Sequence, residues 1–451
     1  MLSRDIRKIY LIGIKGTGMS SLAVLLKKMG YKVTGSDTAE KFFTESQLVK
    51  NKIPYFEGFS RKNLERVKPE LTIASTAYQE DHEEITAIRQ LGIKIISYPQ
   101  AVGEISKTLE SVAICGSHGK TTTTSMLGWI MQTNSQSVTL TGTVADQLNK
   151  EFRPPKFFIF EADEYQNKLQ YYSPANVILT SVDYDHPDFF KTPAAYAKVF
   201  KDFTSRILKN NGSVLFNSGD TLARKMLAGQ KCAQSYGFRK SSDYLITGVS
   251  PELNAFLINH RGKTILKTKL GVYGRHNILN AAAAGVMAMR LGIKRSMIEK
   301  SLATFTGVRR RLESIPSKNF IAVDDYGHHP TEVKAALVAL RNKYPTKNIV
   351  AVFHPHTLSR TKALLKEFGA SFDHADLTII LDIFIPNREK NTNIKIHAKD
   401  LVKEIQRNKA KAIYQPNIND AADYVKQGVK KGSVIMTIGA GDIWKMHELI
   451  R

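Results

Sequence analysis

The sequence predicts an α/β protein of three domains, and three observations predict it. Apolar runs of four or five residues alternate with helix-periodic stretches along a chain of 451 residues, the pattern of parallel sheets flanked by helices. Two of these runs end in glycine-containing turns that open onto helices, beginning at Gly13 and Gly116. At roughly 150 residues per domain, a chain of this length divides into three.

The first unit, 1–109, carries strand-like runs at 8–12, 32–35, 71–74 and 93–97 and reads as Rossmann-like. Gly13-Ile14-Lys15-Gly16-Thr17-Gly18-Met19-Ser20-Ser21 follows the first run, and Asp37 ends the second about twenty residues on. This is nearly a dinucleotide fingerprint, with Ser21 in place of the third glycine. Gly16, Thr17, Gly18 and Asp37 are therefore candidates for holding a diphosphate at a helix N-terminus. A nicotinamide cofactor and a nucleotide-sugar both fit that geometry.

The second unit, 110–313, has strand-like runs at 112–114, 157–160, 177–180 and 213–216. Gly116-Ser117-His118-Gly119-Lys120-Thr121-Thr122 follows the first of them and leads into a helix at 125–130. Strand, small-residue turn, Lys-Thr and helix is the layout of a nucleoside triphosphate site. Backbone N–H groups cradle phosphates, Lys120 reaches the β/γ oxygens and the Thr121 hydroxyl ligates Mg²⁺. The general pattern has a glycine where Ile114 stands. Cys115 reads as a small residue of this loop, not a nucleophile.

Glu161-Ala162-Asp163-Glu164 lies just past the next strand, where acids meet Mg²⁺ across from a phosphate loop. Asp183-Tyr184-Asp185-His186 ends the run after that, with His186 a second Mg²⁺ candidate. Later, Gly274-Arg275-His276-Asn277-Ile278-Leu279-Asn280 starts a helix and gathers His276, Asn277 and Asn280 near one end of it.

The third unit, 314–451, is again Rossmann-like, with strand-like runs at 320–323, 349–353, 377–381, 412–414 and 434–438. Asp324-Asp325-Tyr326-Gly327-His328-His329-Pro330-Thr331-Glu332 and Phe353-His354-Pro355-His356-Thr357-Leu358-Ser359-Arg360-Thr361 follow two of them. Carboxyl ends of strands are where open α/β sheets bind ligands. The His-His pair invites zinc, but no third ligand follows at metal spacing.

Composition narrows the class. At 42% hydrophobic and 24% charged the chain is ordinary for a globular protein. No apolar run reaches the ~18–20 residues of a membrane span, and the start lacks a signal-peptide pattern. Two cysteines exclude a disulfide framework or a four-cysteine zinc site, and a cytoplasmic setting is expected. The net charge of +24 invites nucleic acid, yet the lysines are dispersed and no DNA-reading motif appears. Anionic substrates fit the charge better, with no nucleic acid and no membrane as partners; a basic nucleic-acid-stimulated ATPase is the alternative from another class.

In this order the motifs resemble the Mur ligase family over nearly the whole chain, including Arg310-Arg311 and the late Gly439-Ala440-Gly441-Asp442-Ile443. The resemblance implies an ATP- and Mg²⁺-dependent C–N ligase of peptidoglycan precursor synthesis, monomeric or homodimeric. Its nearest branch joins L-alanine to the lactyl carboxylate of UDP-N-acetylmuramate through an acyl phosphate. A recycling branch that joins a murein tripeptide to the same sugar nucleotide is the alternative.

By resemblance, Gly16, Thr17, Gly18 and Asp37 hold the UDP-sugar, and Gly116 to Thr122 hold the triphosphate. Thr121, Glu161, Glu164 and His186 hold the metal; Lys120, Thr121, His186 and Arg360 serve catalysis. His276, Asn277 and Asn280 meet adenine, Arg310 and Asp324 reach ATP, and Tyr326, His356 and Arg360 line the amino-acid site. The chain departs from the pattern at Thr357, where the alanine-adding branch usually has arginine, and at Ser181, usually asparagine. Tyr165 resembles the recycling branch. Sister ligases carry a carbamoylated lysine four residues after a tyrosine; here Tyr196 plus four is Phe200, with Lys201 beside it.

Overall fold

The computed structural model describes residues 6–134, 136–143, 148, 155–250, 254–386, 389 and 392–451. Three sheets follow one another along the chain. The first has five parallel strands in the spatial order Tyr55–Glu57, Lys32–Asp37, Lys8–Ile12, Leu71–Ala74, Lys94–Ser97. The order reverses beside Lys8–Ile12, so the turn after that strand opens on the crevice where such sheets bind ligands.

The second sheet has nine strands. Its Glu110–Cys115 strand is flanked by Phe157–Glu161 on one side and Asn176–Leu179 on the other. Ile114 pairs in register with Glu161, and Cys115 with Leu179. That register delivers the acids at 161–164 and the loop at 180–186 to either side of the phosphate loop.

The expectation of parallel strands throughout fails at the far edge. Tyr244–Ser250, Ala255–His260 and Lys263–Lys269 form an antiparallel extension with register shifts. Short turns suffice to join antiparallel neighbours, so no helix separates them to mark the strands in sequence.

The third sheet orders Glu313–Ile315, Ile321–Asp325, Val434–Ile438, Ile349–Phe353, Leu377–Ile380 and Ala412–Tyr414, with only the first antiparallel. Its strands are continuous apolar runs because helices cover both faces, burying Ile349, Ala351 and Phe353 on one side and Val350 and Val352 on the other. One core runs without a break from the first sheet onto a face of the second, joining Leu11 and Ile73 to Phe158 and Phe200. Among the described residues no helix is long and apolar enough to cross a membrane.

Candidate active site

The phosphate loop sits between the strand Glu110–Cys115 and the helix Lys120–Asn134. Gly119 has φ +78°, and a Cβ there would stand 2.5 Å from Asn280 Oδ1, so only glycine fits. Ser117 Oγ accepts from the Asp183 N–H at 2.7 Å, and Ser181 Oγ accepts from the His118 N–H at 3.1 Å. The serine at 181 thus braces the loop from the strand end opposite. Cys115 is fully buried and its thiol is pushed up by burial, which leaves it unreactive.

Lys120 Nζ lies 2.9 Å from Glu164 Oε2 and 2.5 Å from the Gly116 carbonyl. Burial opposes its charge, yet Glu164, Asp163 and Glu161 hold it firmly protonated. The Thr121 hydroxyl donates to Glu161 at 3.1 Å, and the Gly142 N–H donates to the other Glu161 oxygen at 2.7 Å. Asp163, Glu164 and His186 bring ligand atoms within 4.8 Å of one another. His186 Nδ1 is buried without a hydrogen-bond partner, and its backbone is left-handed at φ +56°. Oxygen donors dominate this cluster, the chemistry Mg²⁺ requires; of the expected ligands it holds Glu164 and His186, while Thr121 and Glu161 are bonded to each other beside it. Asp163 completes the cluster; sequence reading passed over it although it lies between the two glutamates.

Tyr196 was likewise missed as a site residue. Its buried hydroxyl donates to Glu164 at 2.9 Å and lies 2.8 Å from Ser117 Oγ, tying the metal cluster to the phosphate loop. One turn on, Phe200 is fully buried, while Lys201 is exposed and faces away from this network.

The third domain closes the cleft. Arg360 Nε donates to Asp185 Oδ1 at 2.7 Å, with both side chains at least 95% buried. Burial works against the Asp185 carboxylate, and Arg360 is the first cation holding it well below its usual range. His356 stacks on Phe384 at 5.1 Å and approaches Arg360 at 3.4 Å. Burial, then Arg360, push His328 down to about 3, so the imidazole in the cleft is neutral. Thr357 is buried with φ +73° and caps the helix Leu358–Ala363, accepting from the Arg360 N–H. Arg360 therefore keeps no second guanidinium at 357 beside it.

Two residues expected to reach ATP are bonded to each other inside the third domain. Asp324 is buried beneath the cleft, bonded to Arg310 at 2.9 Å and to Thr437 at 2.6 Å. Arg310, with φ +59°, donates to Asp324 and to the carbonyls of Gly439 and Gly441 and still lines the larger cavity of the cleft. Arg311 lines both cavities of the cleft and lies 3.7 Å from Glu332. A left-handed residue reverses the side-chain direction expected of adjacent positions, so the pair could not be told apart in sequence.

In the smaller cavity His276, Asn277 and Asn280 face Thr122, Gly119 and Arg311. Burial, then Arg311, lower His276 to about 4, leaving a neutral ring. The larger cavity, about 420 Å³, falls in the range of small-molecule sites and joins all three domains. Thr17 enters it from the first domain, Lys120 and Glu161 from the second, and Tyr326, His356 and Arg360 from the third. Gly16 precedes the helix Thr17–Lys28 and Gly18 lies in its first turn under Tyr98. Asp37 does not face the cleft openly: it accepts from the Lys15 and Thr38 N–H groups and from Tyr78 at 3.3 Å, which holds the glycine turn in place.

Residues 8–109, 114–288 and 310–441 match the models of the Mur ligase catalytic domain, the Mur ligase middle domain and the Mur ligase glutamate ligase domain. The chain belongs to the Mur ligase family. As a member it is an ATP-dependent ligase that forms an amide bond. It is 36% identical over 447 residues to a UDP-N-acetylmuramate–L-alanine ligase of Desulfitobacterium hafniense, covering 98% of each chain. A protein of that description from Lactobacillus acidophilus is 35% identical over 99% of each. Among solved structures, the Mur ligase architecture is matched by UDP-N-acetylmuramate-alanine ligase of Thermotoga maritima, with a TM-score of 0.80 at 24% identity over 98% of each chain. A murein peptide ligase of Psychrobacter arcticus matches at 0.70 and 22%, also over 98% of each. These two likenesses speak to the fold.

Proposed function

We propose that this ligase joins L-alanine to the lactyl carboxylate of UDP-N-acetylmuramate, with ATP cleaved to ADP and phosphate. The observation that carries the reading is the meeting of Lys120 and Glu161 with Arg360 and His356 in one cavity that also reaches Thr17. A phosphate site, a carboxylate-binding cation and the glycine turn of a diphosphate-binding domain then serve one reaction. The lactyl carboxylate attacks the γ-phosphorus and ADP leaves. The amine attacks the resulting acyl phosphate, and phosphate departs with one oxygen of the original carboxylate.

Phosphoryl transfer asks chiefly for positioning and charge neutralisation, which is what this chain's residues offer. Lys120 follows charge onto the β/γ oxygens, and the Gly116–Thr122 backbone holds the triphosphate. His276, Asn277 and Asn280 hold the adenine end, with Arg311 beside them. Arg360 receives the amino-acid carboxylate next to Tyr326 and His356. Thr121, Glu161, Glu164 and His186, with Asp163, would hold Mg²⁺, which when bound neutralises phosphate charge. Closure of the third domain over the second excludes water from the acyl phosphate. A cytoplasmic setting accords with ATP and a nucleotide-sugar as substrates.

The test is phosphate release and product mass with ATP, Mg²⁺ and UDP-N-acetylmuramate, offering L-alanine, glycine, L-serine or the L-Ala-γ-D-Glu-diamino-acid tripeptide. Ligation with L-alanine above the others supports the reading. Tyr165, tilted against His186 with ring centroids 4.6 Å apart, and the missing arginine at 357 favour a bulkier amine as the second reading; preference for the tripeptide would establish it. Hydrolysis without ligation, stimulated by nucleic acid, would overturn both.

A further inference from the structure

Three consecutive residues of the second domain each receive a bond from the third. The Thr331 hydroxyl donates to Asp183 Oδ2 at 2.6 Å, His329 faces the Tyr184 carbonyl, and Arg360 reaches Asp185. His329 also caps the helix Pro330–Lys343, its Nδ1 accepting from the Thr331 N–H at 3.3 Å. The ring proton is therefore on Nε2, which donates it to the Tyr184 carbonyl at 3.1 Å. Residues 183–185 are thus the dock on which the third domain rests.

The phosphate loop grips this dock and reaches past it. His118 Nε2 stands 3.1 Å from Asp183 Oδ2 in its own domain. Its Nδ1 is buried without an aligned hydrogen bond and faces Glu332 Oε1 at 3.4 Å, in the first turn of the third domain's helix. The other Glu332 oxygen accepts the His328 N–H at 3.1 Å, so the contact extends to a residue lining the larger cavity. Both ring nitrogens of His118 therefore face carboxylates. Burial disfavours the imidazolium, yet Asp183 and Glu332 raise His118 to about 9, which makes it a cation at neutral pH. His329, with ring centroids 4.5 Å away, is lowered by burial and then by His118. Arg311 stands on the far side of Glu332 at 3.7 Å.

We propose that the His118 side chain is a positioning residue: it bridges Asp183 to Glu332 and so couples triphosphate binding to docking of the third domain. A triphosphate held by the loop backbone fixes the loop, and the loop fixes the ring. The ring then draws Glu332, and with it His328, onto the dock. ATP binding and closure thereby favour each other. The inference rests on ATP use by this family and not on which amine is joined.

The test uses the full chain with a non-hydrolysable ATP analogue and Mg²⁺, and no amino acid. Calorimetry reads analogue affinity and small-angle X-ray scattering reads docking. The analogue should shift the native chain toward its compact form. His118→Leu and Glu332→Gln should each weaken analogue binding at least ~10-fold and abolish the compaction. The double variant should lose no more than about twofold beyond either single one, because both changes break one contact. A side chain that met the phosphates directly would give additive losses instead. Docking has a pH signature as well. The His118 value is raised above its ordinary 6.5, so its contribution is whole below pH ~6.5 and is lost as pH rises through about 9. In Glu332→Gln that alkaline limb should move to lower pH. Should His118→Leu fail to fold, Glu332→Gln decides alone, since glutamine keeps an oxygen for the His328 N–H. Additive losses, or compaction that survives in Glu332→Gln, overturn the bridge.

Discussion

Arg360→Met tests the closure of this enzyme most sharply. The side chain is 3% exposed and its Asp185 partner 5%, and their 2.7 Å contact joins the third domain to the second. Removing one partner of a buried pair leaves an uncompensated charge, at a cost of about 3–5 kcal/mol. The pair spans two domains, each with its own apolar core, so the cost falls on docking and leaves folding largely intact. At about 1.4 kcal/mol per decade, docking weakens by roughly 10² to 10⁴. With Arg360 also proposed to receive the amino-acid carboxylate, kcat/KM for the amino acid should fall by ~10²–10³, with KM carrying much of the loss. Steady-state kinetics, with scattering or limited proteolysis to report docking, provide the measurements. Adding Asp185→Leu should restore docking without restoring amino-acid affinity, since it removes the stranded charge but supplies no cation. A single variant with KM and docking within twofold of the native chain would show that the Arg360–Asp185 pair does not hold the domains together.

Other outcomes follow from the same geometry. Lys120→Ala should lower kcat by ~10²–10³, as loss of one charge-stabilising donor does, checked by single-turnover phosphate release. Tyr196→Phe frees Glu164 and should raise the Mg²⁺ concentration needed for half-maximal rate about tenfold, measured by Mg²⁺ titration at saturating substrates. Gly119→Ala, strained at φ +78° and driven against Asn280, should weaken ATP binding more than it lowers the melting temperature, read by calorimetry on both. His276 falls from its ordinary 6.5 to about 4 on folding. The unfolded chain therefore binds the extra proton between those values. Stability from this group is full above pH ~6.5 and is lost as pH falls toward 4, by up to ~3 kcal/mol. His276→Gln should flatten that acid limb in melts taken across pH.

Much of the fold was legible because parallel strands buried on both faces are plain apolar runs, and because ligand-binding turns follow their carboxyl ends. The runs at 71–74 and 349–353 coincide with observed strands for that reason. The antiparallel extension beyond Tyr244 escaped because its strands alternate buried and exposed residues, as in Lys263–Lys269 at an edge that faces solvent. At the site, motif residues that share one loop were readable together, but their directions were not. Left-handed backbone at Arg310 and Leu312 sends Arg310 to Asp324 and Arg311 toward Glu332, which spacing does not encode. Tyr196 reaches Glu164 from a helix 32 positions away in sequence, and His118 meets His329 across two domains. Such pairings belong to tertiary structure.

The acyl phosphate is the centre of the proposed chemistry, and one isotope measurement addresses it directly. UDP-N-acetylmuramate labelled with heavy oxygen in the lactyl carboxylate is turned over with ATP and L-alanine, and the released phosphate is weighed. Each phosphate should carry one labelled oxygen, brought there from the carboxylate that attacked the γ-phosphorus. Phosphate free of the label, with ligated product formed, would contradict it.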